Sequence, residues 1–275
     1  MTTDEHARFM RANQANWDAR TPVHLASRFY GLDQDLDPAR WFASFEWDDL
    51  GELSGRDVLH LQCHLGTETI AFAQRGARAV GLDFSAASVT AARDVAARAG
   101  VPVDYVQANV YDARQALDQR QFDVVYTGKG ALCYLPDLQR WAEVVARLLR
   151  PGGHVYIVEF HPLLNSLGPE PAPGEGPELL LRHDYLGGRG AVHRDATHTY
   201  TDGPAVENAT DSYEWMHGIS EVMNALVGAG LTIRRLRESE ELPWPRWPQM
   251  VRTASGWWRL PEPRIPLLYG LLASR

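Results

Sequence analysis

The chain has few cysteines and no long apolar run. Its 275 residues include two cysteines, Cys63 and Cys133, so we expect reduced thiols rather than a disulfide framework. No apolar stretch approaches the ~20 residues that a membrane-spanning helix needs. Residues 1–6 have no basic flank and no apolar core, unlike a signal peptide. These absences predict a cytoplasmic protein without a membrane partner.

The sequence also lacks a run or stripe of basic residues. Its net charge is −8, which argues against sequence-independent binding of nucleic acid. We therefore expect no nucleic-acid partner and favour a small-molecule substrate, while a homodimer is compatible with the sequence. The length suits one large α/β domain with insertions or two small domains, and the 45% hydrophobic content is enough for a full core.

From Val58 onward, apolar strands alternate with helices. The predicted strands are Val58–Gln62, Ala79–Asp83, Val103–Gln107, Phe122–Thr127, His154–Phe160, Thr232–Glu238 and Leu267–Ala273. Helices are predicted over Glu68–Arg75, Leu138–Leu149 and Ile219–Gly228, with an alanine-rich helix between Ser85 and Gly100. Apolar strands that alternate with helices predict a parallel sheet covered on both faces.

Other segments interrupt this alternation. A helix over residues 4–19 is predicted to stop at Thr21-Pro22, and a short helix is predicted over Pro38–Phe45. Residues 161–217 contain two alternating segments, Thr197–Asp202 and Thr210–Met216, that favour an antiparallel pair. We expect an N-terminal helical lid (1–49), a core (50–160 and 218–275) and a substrate-side insertion (161–217). The lid, the insertion and the loop 239–265 should meet at the carboxyl edge of the sheet, where ligands bind.

The most informative segment is the strand and loop Asp57–Gly66, followed by a second strand that ends at Asp83. In this arrangement the loop amides and the start of a helix approach an adenosine-containing ligand, and the carboxylate accepts hydrogen bonds from ribose hydroxyls. The G-x-G-x-x-G pattern of dinucleotide-binding folds is absent, because Gln62 and His64 stand where glycines are usual. A Rossmann dehydrogenase is therefore disfavoured.

Further motifs follow in a characteristic order: Gln107-Ala-Asn109, Phe122–Thr127 and Leu148-Leu-Arg-Pro-Gly-Gly153. With these motifs, residues 50–275 resemble the class I S-adenosylmethionine-dependent methyltransferases. The segments Asn16–His24 and Tyr213–His217 are similar to a bacterial subgroup that acts on small molecules. The resemblance implies a Rossmann-like seven-stranded sheet of strand order 3-2-1-4-5-7-6, with the last strand antiparallel and helices on both faces.

The resemblance also implies S-adenosyl-L-methionine as cofactor and S-adenosyl-L-homocysteine as product. It places Gln62, Cys63, His64 and Gly66 around the methionine part, Asp83 at the ribose, Phe84, Asn109 and Val110 at the adenine, and the backbone of Thr127 and Gly128 at the amino-acid group. Ser85 and Tyr111 belong to the same expected site. Trp17 and Tyr30 are expected to cover the sulfonium, because cations favour aromatic faces; alternatively, they only attach the N-terminal helices to the core.

The sequence departs from the family pattern at the first strand. His60 stands where the family has an acid that orients the cofactor ammonium group, and we expect a residue of the N-terminal segment to replace it. His60, Cys63 and His64 do not have the usual spacing of zinc ligands. We therefore predict no metal site and expect His60 to be a hydrogen-bonded core residue.

Three residues are candidates for catalysis. His161 follows the fifth strand, and an imidazole that titrates near neutrality can act as a general base. Tyr213 and His217 are equal candidates, with structural lining of the pocket as the alternative for all three.

The predicted function is methyl transfer to an oxygen or nitrogen of a small metabolite. Transfer from a sulfonium depends mainly on alignment and desolvation, so no obligatory catalytic motif is expected. A non-catalytic regulatory module that binds the cofactor and a protein methyltransferase remain alternatives. Trp244, Trp247, Trp257 and Trp258 are expected either to line an apolar substrate pocket or to form a satellite core.

Overall fold

A seven-stranded sheet organises the chain, in a computed structural model that describes residues 3–32, 36–168 and 178–275. Its strand order is β3-β2-β1-β4-β5-β12-β8. The strands are β1 (Asp57–Leu61), β2 (Arg78–Asp83), β3 (Asp104–Gln107), β4 (Phe122–Thr127), β5 (Leu149–Phe160), β8 (Thr232–Ser239) and β12 (Leu268–Ser274). β12 runs antiparallel to both of its neighbours, β5 and β8, and the other neighbouring strands of this sheet pair in parallel. The expected α/β fold and strand order are confirmed, with β8 and β12 as the sixth and seventh strands.

Helices cover both faces of the sheet. They are α1 (Thr3–Ala26), α2 (Ser44–Leu50), α3 (Thr67–Gln74), α4 (Ala86–Arg98), α5 (Ala113–Ala116), α6 (Leu138–Leu148), α7 (Pro162–Leu167) and α8 (Ile219–Gly228). Short 3-10 turns span Pro38–Trp41, Val110–Asp112 and Leu132–Tyr134. In the described ranges, none of the helices has both the length and the apolarity needed to cross a membrane.

Two small sheets lie outside the central one. A pair joins β6 (Val192–Asp195) to β7 (Asp211–Glu214), and a three-stranded sheet joins β9 (Glu241–Leu242), β10 (Val251–Arg252) and β11 (Trp258–Arg259). Both belong to the segments that were expected above the carboxyl edge.

The central strands are apolar because both of their faces are covered. Every residue of β1 is buried. Leu59 and Leu61 pack in a cluster with Trp141 of α6, whereas Val58 packs on the opposite face with Phe72 of α3. Alternating residues therefore meet two different cores, which explains why the strands are continuous apolar runs.

The N-terminal helix continues through Pro22, so the predicted stop at Thr21-Pro22 is wrong. Proline removes one backbone N–H, a cost that usually ends a helix. Here Thr21, Val23 and His24, which flank Pro22, are buried, and α1 packs against α4. Thr21 Oγ1 donates to the carbonyl of Trp17 at 2.8 Å and lies 2.8 Å from Ser88 Oγ on α4. Tertiary contacts of this kind offset the lost hydrogen bond.

Two further segments differ from the expectations. The predicted helix Pro38–Phe45 is a 3-10 turn followed by α2. The strand that pairs with β7 is β6, and Thr197–Asp202 forms none. Its polar groups bind the region after α1 instead, because Asp202 accepts hydrogen bonds from the backbone N–H groups of Arg28 and Phe29.

Gly66 generates a prediction, because it has φ +71° and lies against Tyr105. A methyl group built on Gly66 would be 2.7 Å from Tyr105 Cε1, whereas one built on Gly100, at φ +66°, would meet nothing within 4 Å. We expect Gly66→Ala to lower the free energy of unfolding by about 2–5 kcal/mol, because it adds a steric clash to the cost of the left-handed backbone. Gly100→Ala should cost only about 1–2 kcal/mol. Urea denaturation followed by circular dichroism measures both, and equal losses would refute the close approach.

Candidate functional site

A cavity of about 520 Å³ lies at the carboxyl edge of the sheet. The core lines it with Gln62, Cys63, His64, Asp83, Phe84, Val110 and Gly128. The region around α1 adds Trp17, Tyr30 and Trp41; the segment 161–217 adds Asn165, Arg194 and His217; and the loop 239–265 adds Trp244 and Arg246. All three segments that were expected above the sheet therefore line one cavity.

The loop after β1 approaches the cavity through an unusual backbone. Gln62 and His64 have φ values of +56° and +47°, in the left-handed region that glycine adopts most readily. The His64 N–H donates to Asp83 Oδ2 at 2.9 Å, which ties this loop to the end of β2. Gln62 and His64 thus adopt a left-handed backbone conformation at a cost of about 1–2 kcal/mol each. Backbone strain of this kind is concentrated at functional sites.

The side chains of this loop are held by hydrogen bonds. Gln62 Nε2 donates to the carbonyl of Ala131 at 2.9 Å. The two ring nitrogens of His64 lie 2.8 Å from His24 Nδ1 and 3.0 Å from Ser88 Oγ. Burial, together with His24 and Arg20, lowers the pKa of His64 well below its usual value, so the ring is neutral near pH 7. The loop is therefore fixed to both α1 and α4.

Asp83 is a buried carboxylate on the cavity wall. It is 6% exposed and accepts hydrogen bonds from the N–H groups of Ser85 and His64, each at 2.9 Å. Burial raises its pKa to about 6 in spite of these bonds. A carboxylate has more acceptor positions than two donors use, so Asp83 retains capacity for hydroxyl groups of a ligand.

His60 is a buried residue with an internal partner. Its Nδ1 lies 2.9 Å from Thr69 Oγ1, and burial lowers its pKa to about 4. It is therefore neutral and cannot replace the acid that the family pattern has at this position. Within the described ranges, no group of three or more His, Cys, Asp or Glu residues is placed to hold a metal ion.

Glu68 is a carboxylate of the cavity wall that the sequence analysis did not select. Thr67 Oγ1 donates to it at 2.6 Å, and no cationic side chain of the described residues forms an ion pair with it. A methyl group built on Gly128 would lie 3.9 Å from Glu68 Oε1 and 3.4 Å from His60 Nε2. An acid was expected from the N-terminal segment, whereas this one belongs to the first turn of α3. Its position two residues after Gly66, at the end of the loop that follows β1, was the sequence feature that could have identified it as a residue of the site.

Glu159 at the end of β5 shapes the loop that follows β4. Its carboxylate accepts hydrogen bonds from the N–H groups of Gly130, Ala131 and Leu132, each at 2.7 Å. Burial raises the pKa of this carboxyl group above its usual value. The loop is therefore held by a side chain from the neighbouring strand, in a position beside Gly128.

Trp17 and Tyr30 line the cavity from the N-terminal side. The Trp17 ring is edge-on to the rings of His64 and Tyr134, at centroid distances of 4.9 and 5.4 Å. The Tyr30 hydroxyl lies 2.6 Å from that of Tyr200, in the segment 161–217. These residues attach the N-terminal segment to the core and form a wall of the cavity at the same time, so the two alternatives are compatible.

Of the three catalytic candidates, only His217 lines the cavity. Its Nε2 lies 2.8 Å from the carbonyl oxygen of Leu135, which can only accept, so Nε2 carries the proton. Burial lowers the pKa of His217, which leaves a neutral ring with an unprotonated Nδ1.

The other two candidates lie elsewhere. Tyr213 stacks on Phe9 at a centroid distance of 4.1 Å. His161 accepts from the Leu163 N–H at 3.1 Å and lies 3.0 Å from Glu238, so both of its ring nitrogens are engaged.

Five predicted cofactor residues are also absent from the lining: Gly66, Ser85, Asn109, Tyr111 and Thr127. Ser85 caps α4 by accepting from the Ser88 N–H, and Asn109 caps the turn Val110–Asp112. Ser85 and Asn109 thus stabilise the backbone next to Asp83 and Val110, whose side chains line the cavity.

The tryptophans of the loop 239–265 divide between the two expected roles. Trp244 lines the cavity, and its ring is 5.1 Å from that of Phe160. Trp247 and Trp257 are buried in a satellite cluster with Leu164, against which Trp258 packs.

Comparison with known proteins gives this site a context. Residues 59–155 match the model of a methyltransferase domain. Over 136 residues, the chain is 34% identical to a ubiquinone biosynthesis O-methyltransferase of Klebsiella pneumoniae, a match that covers 48% of this chain and 55% of that relative. The chain thus spans about half the length of the curated relatives that it matches.

Solved structures share the fold over most of the chain. An S-adenosylmethionine-dependent methyltransferase of Clostridium acetobutylicum superposes with a TM-score of 0.56 at 13% identity, over 89% of this chain and 94% of its own. A glycopeptide N-methyltransferase solved with S-adenosylmethionine gives a TM-score of 0.52 at 18% identity, over 84% and 91%. These findings confirm the fold, and residues 59–155 match a methyltransferase domain, as the motifs indicate.

Proposed function

We propose that this chain is a class I S-adenosylmethionine-dependent methyltransferase that transfers a methyl group to an oxygen or nitrogen of a small-molecule metabolite. The observation that carries the proposal is one cavity that joins the cofactor residues of the core to His217 and the aromatic side chains above them. Its volume of about 520 Å³ falls in the range of small-molecule sites. The relatives named as O-methyltransferases favour oxygen as the acceptor atom.

The residues present fit the cofactor at several points. Asp83 offers acceptor positions for ribose hydroxyls, while Ala108 and Val110 offer an apolar surface for a flat ring. Gln62 Oε1, directly after β1, is buried without a hydrogen-bond partner among the described residues. Buried polar atoms without partners are rare in native proteins, and a polar ligand in the cavity would supply the missing hydrogen bond.

Glu68 fits the ammonium group of the cofactor. It is a carboxylate without a cationic partner in the described residues, and it flanks the same space as Gly128 and His60. A neutral His60 cannot balance an ammonium charge, whereas a carboxylate can, through a charge-assisted hydrogen bond. We assign to Glu68 the contact that the family's first-strand acid otherwise makes.

The chemistry needs few groups from the protein. When bound, S-adenosylmethionine supplies an electrophilic methyl group on a sulfonium. Trp17 and Tyr30 exclude water from the cavity and present aromatic surface to a cation. His217 holds its proton on Nε2 through the Leu135 carbonyl, which leaves Nδ1 to accept the proton of an acceptor hydroxyl or amine.

The ionisation of Asp83 predicts a pH dependence of binding. Its pKa of about 6 means that the carboxylate predominates only at higher pH, so affinity for S-adenosylhomocysteine should fall as the pH decreases through about 6. Asp83→Asn should weaken binding by about 10- to 100-fold at neutral pH and remove this pH dependence. Isothermal titration calorimetry measures both effects.

Asp18→Asn is the matched control, because Asp18 also accepts hydrogen bonds from Ser85 and Ala87 but does not line the cavity. It should leave the affinity almost unchanged. Normal binding by a folded Asp83→Asn variant would contradict the proposed ribose contact.

The role of Glu68 is tested with two ligands that differ in one group. Wild-type protein should bind S-adenosylhomocysteine about 10- to 100-fold more tightly than its analogue without the α-amino group, because a carboxylate pairs with the ammonium. Glu68→Gln should remove most of this preference. If the variant binds both ligands more weakly by the same factor, Glu68 supports the loop and does not contact the ammonium.

His217 is tested by turnover. Formation of S-adenosylhomocysteine should be screened over small hydroxylated and heterocyclic acceptors. With an acceptor so found, His217→Asn should reduce kcat by roughly 10²–10⁴ without a matching loss of cofactor affinity. The wild-type rate should fall as the pH decreases through the lowered pKa of His217, because protonated Nδ1 cannot accept a proton.

Tyr213→Phe is the comparison for this experiment, since Tyr213 was an equal candidate and lies outside the cavity lining. It should leave kcat nearly unchanged. Binding of S-adenosylhomocysteine without turnover of any acceptor would instead favour the non-catalytic regulatory module, and turnover only on protein substrates would favour the protein methyltransferase.

A further inference from the structure

The cationic side chains of the cavity differ in how their charge is balanced. Among the described residues, the lining contains Lys129, Arg194 and Arg246. Lys129 Nζ lies 3.1 Å from a carboxylate oxygen of Glu46, and Arg194 Nε lies 3.3 Å from one of Glu214. Arg246 forms no ion pair with any carboxylate of the described residues, so its charge is unbalanced there.

The hydrogen bonds of Arg246 use only part of its guanidinium. Its Nε and Nη2 both donate to the carbonyl oxygen of Gly168, at 3.3 and 2.9 Å. Gly168 directly follows α7, so these bonds connect the loop 239–265 to the start of the insertion. A guanidinium has further N–H donors, and a single neutral carbonyl does not compensate its charge.

Burial makes this lack of a counter-ion costly. Desolvation lowers the pKa of Arg246 from its usual value, and no acidic residue of the described ranges counteracts the shift. Removal of a charged group from water is unfavourable unless it is paired. A carboxylate fits a guanidinium through two parallel hydrogen bonds, so an anionic ligand would offset this cost.

Aromatic side chains of the same loop and of β5 also line the cavity. Trp244 lies two residues before Arg246, and its ring is nearly perpendicular to that of Phe160 at 5.1 Å. Both rings line the cavity. A methyl group built on Gly130 would be 3.3 Å from Phe160 Cε2, so this region adjoins the loop after β4. A cavity that is lined by both a cation and aromatic rings suits a ligand that joins an acid to a flat apolar ring.

We propose that Arg246 binds a carboxylate group of the acceptor substrate, with Trp244 and Phe160 in contact with a flat apolar part of the same molecule. This inference rests on the proposed function, since it names the acceptor as an aromatic or similarly flat acid. The acidic group is an anchor, and the atom that is methylated lies elsewhere on the molecule.

The test uses benzoate and benzamide, which have the same ring and differ in charge. At constant ionic strength and with saturating S-adenosylhomocysteine, benzoate should raise the Tm of the wild-type protein and benzamide should not, because only the anion pairs with Arg246. Arg246→Gln should abolish the benzoate shift, and Arg246→Lys should retain part of it because the charge remains without the planar fork.

Arg252→Gln is the matched control. Arg252 lies in the same loop and also donates to a glycine carbonyl, that of Gly256 at 3.2 Å, but it is exposed and outside the cavity lining. This variant should show the wild-type benzoate shift. Equal shifts with benzoate and benzamide, no shift with either, or a benzoate shift that survives in Arg246→Gln would each overturn the proposal.

A measurement on the unmodified chain covers the case in which the variants do not fold. Phenylglyoxal modifies accessible arginines, and mass spectrometry locates the modified residue. Benzoate should slow the modification of Arg246 but not that of Arg252, whereas benzamide should protect neither. Absence of this selective protection would overturn the proposal.

These experiments also separate two kinds of failure. Benzoate has no hydroxyl or amine to methylate, so its binding does not depend on turnover. Binding of benzoate at Arg246 without turnover of any acceptor would refute the proposed function and leave the anion site intact. Turnover of neutral acceptors without any benzoate effect would refute the anion site alone.

Discussion

The carboxyl edge of the sheet depends on buried carboxylates that accept backbone N–H groups from the loops. Parallel strands end at this edge, and the loops after them turn without sheet partners for their amides. Asp83 accepts from the loops after β1 and β2, and Glu159 accepts from the loop after β4. Each carboxylate therefore joins neighbouring strand ends, and the walls of the cavity follow from these hydrogen bonds.

Burial of Asp83 and Glu159 destabilises their charged forms. The pKa values of Asp83 and Glu159 are both raised, which means that the protein stabilises their charges less well than water does. Gln62 and His64 add backbone strain in the loop next to Asp83. Desolvated carboxylates and a strained backbone at one edge of a stable fold are typical of a binding site, because contacts with a ligand offset their free-energy cost.

The charges in the cavity also indicate a binding site, at the side chains of Glu68 and Arg246. Glu46 balances Lys129 and Glu214 balances Arg194, so these pairs are internal to the protein. In the described part of the chain, Glu68 and Arg246 lack such partners. The cofactor carries an ammonium group, which suits the acid, and an anionic acceptor suits the arginine. Charged groups that are removed from water are usually paired, and this principle supports both proposals for the partly buried Glu68 and Arg246.

The resemblance to the class I methyltransferases implied the strand order. The sequence by itself determined the alternation of strands and helices and the position of Asp83 at the end of β2. These features depend on local patterns: apolar runs, capping residues and glycines lie close together along the chain. The candidate site was predictable only in part. The loop Gln62–His64 and Asp83 follow directly from the strand ends and line the cavity, whereas the catalytic candidates His161 and Tyr213 lie outside its lining.

Only the tertiary structure decided the features that depend on distant contacts. The packing of α1 on α4 carries the helix past Pro22, and the Leu135 carbonyl sets the tautomer of His217. Arg246 reaches the cavity from a loop whose sequence shows no sign of it. These outcomes depend on burial and on partners more than 60 residues away, such as Ser88 for Thr21, Leu135 for His217 and Gly168 for Arg246. Local sequence patterns do not encode such distances, because folding brings these groups together.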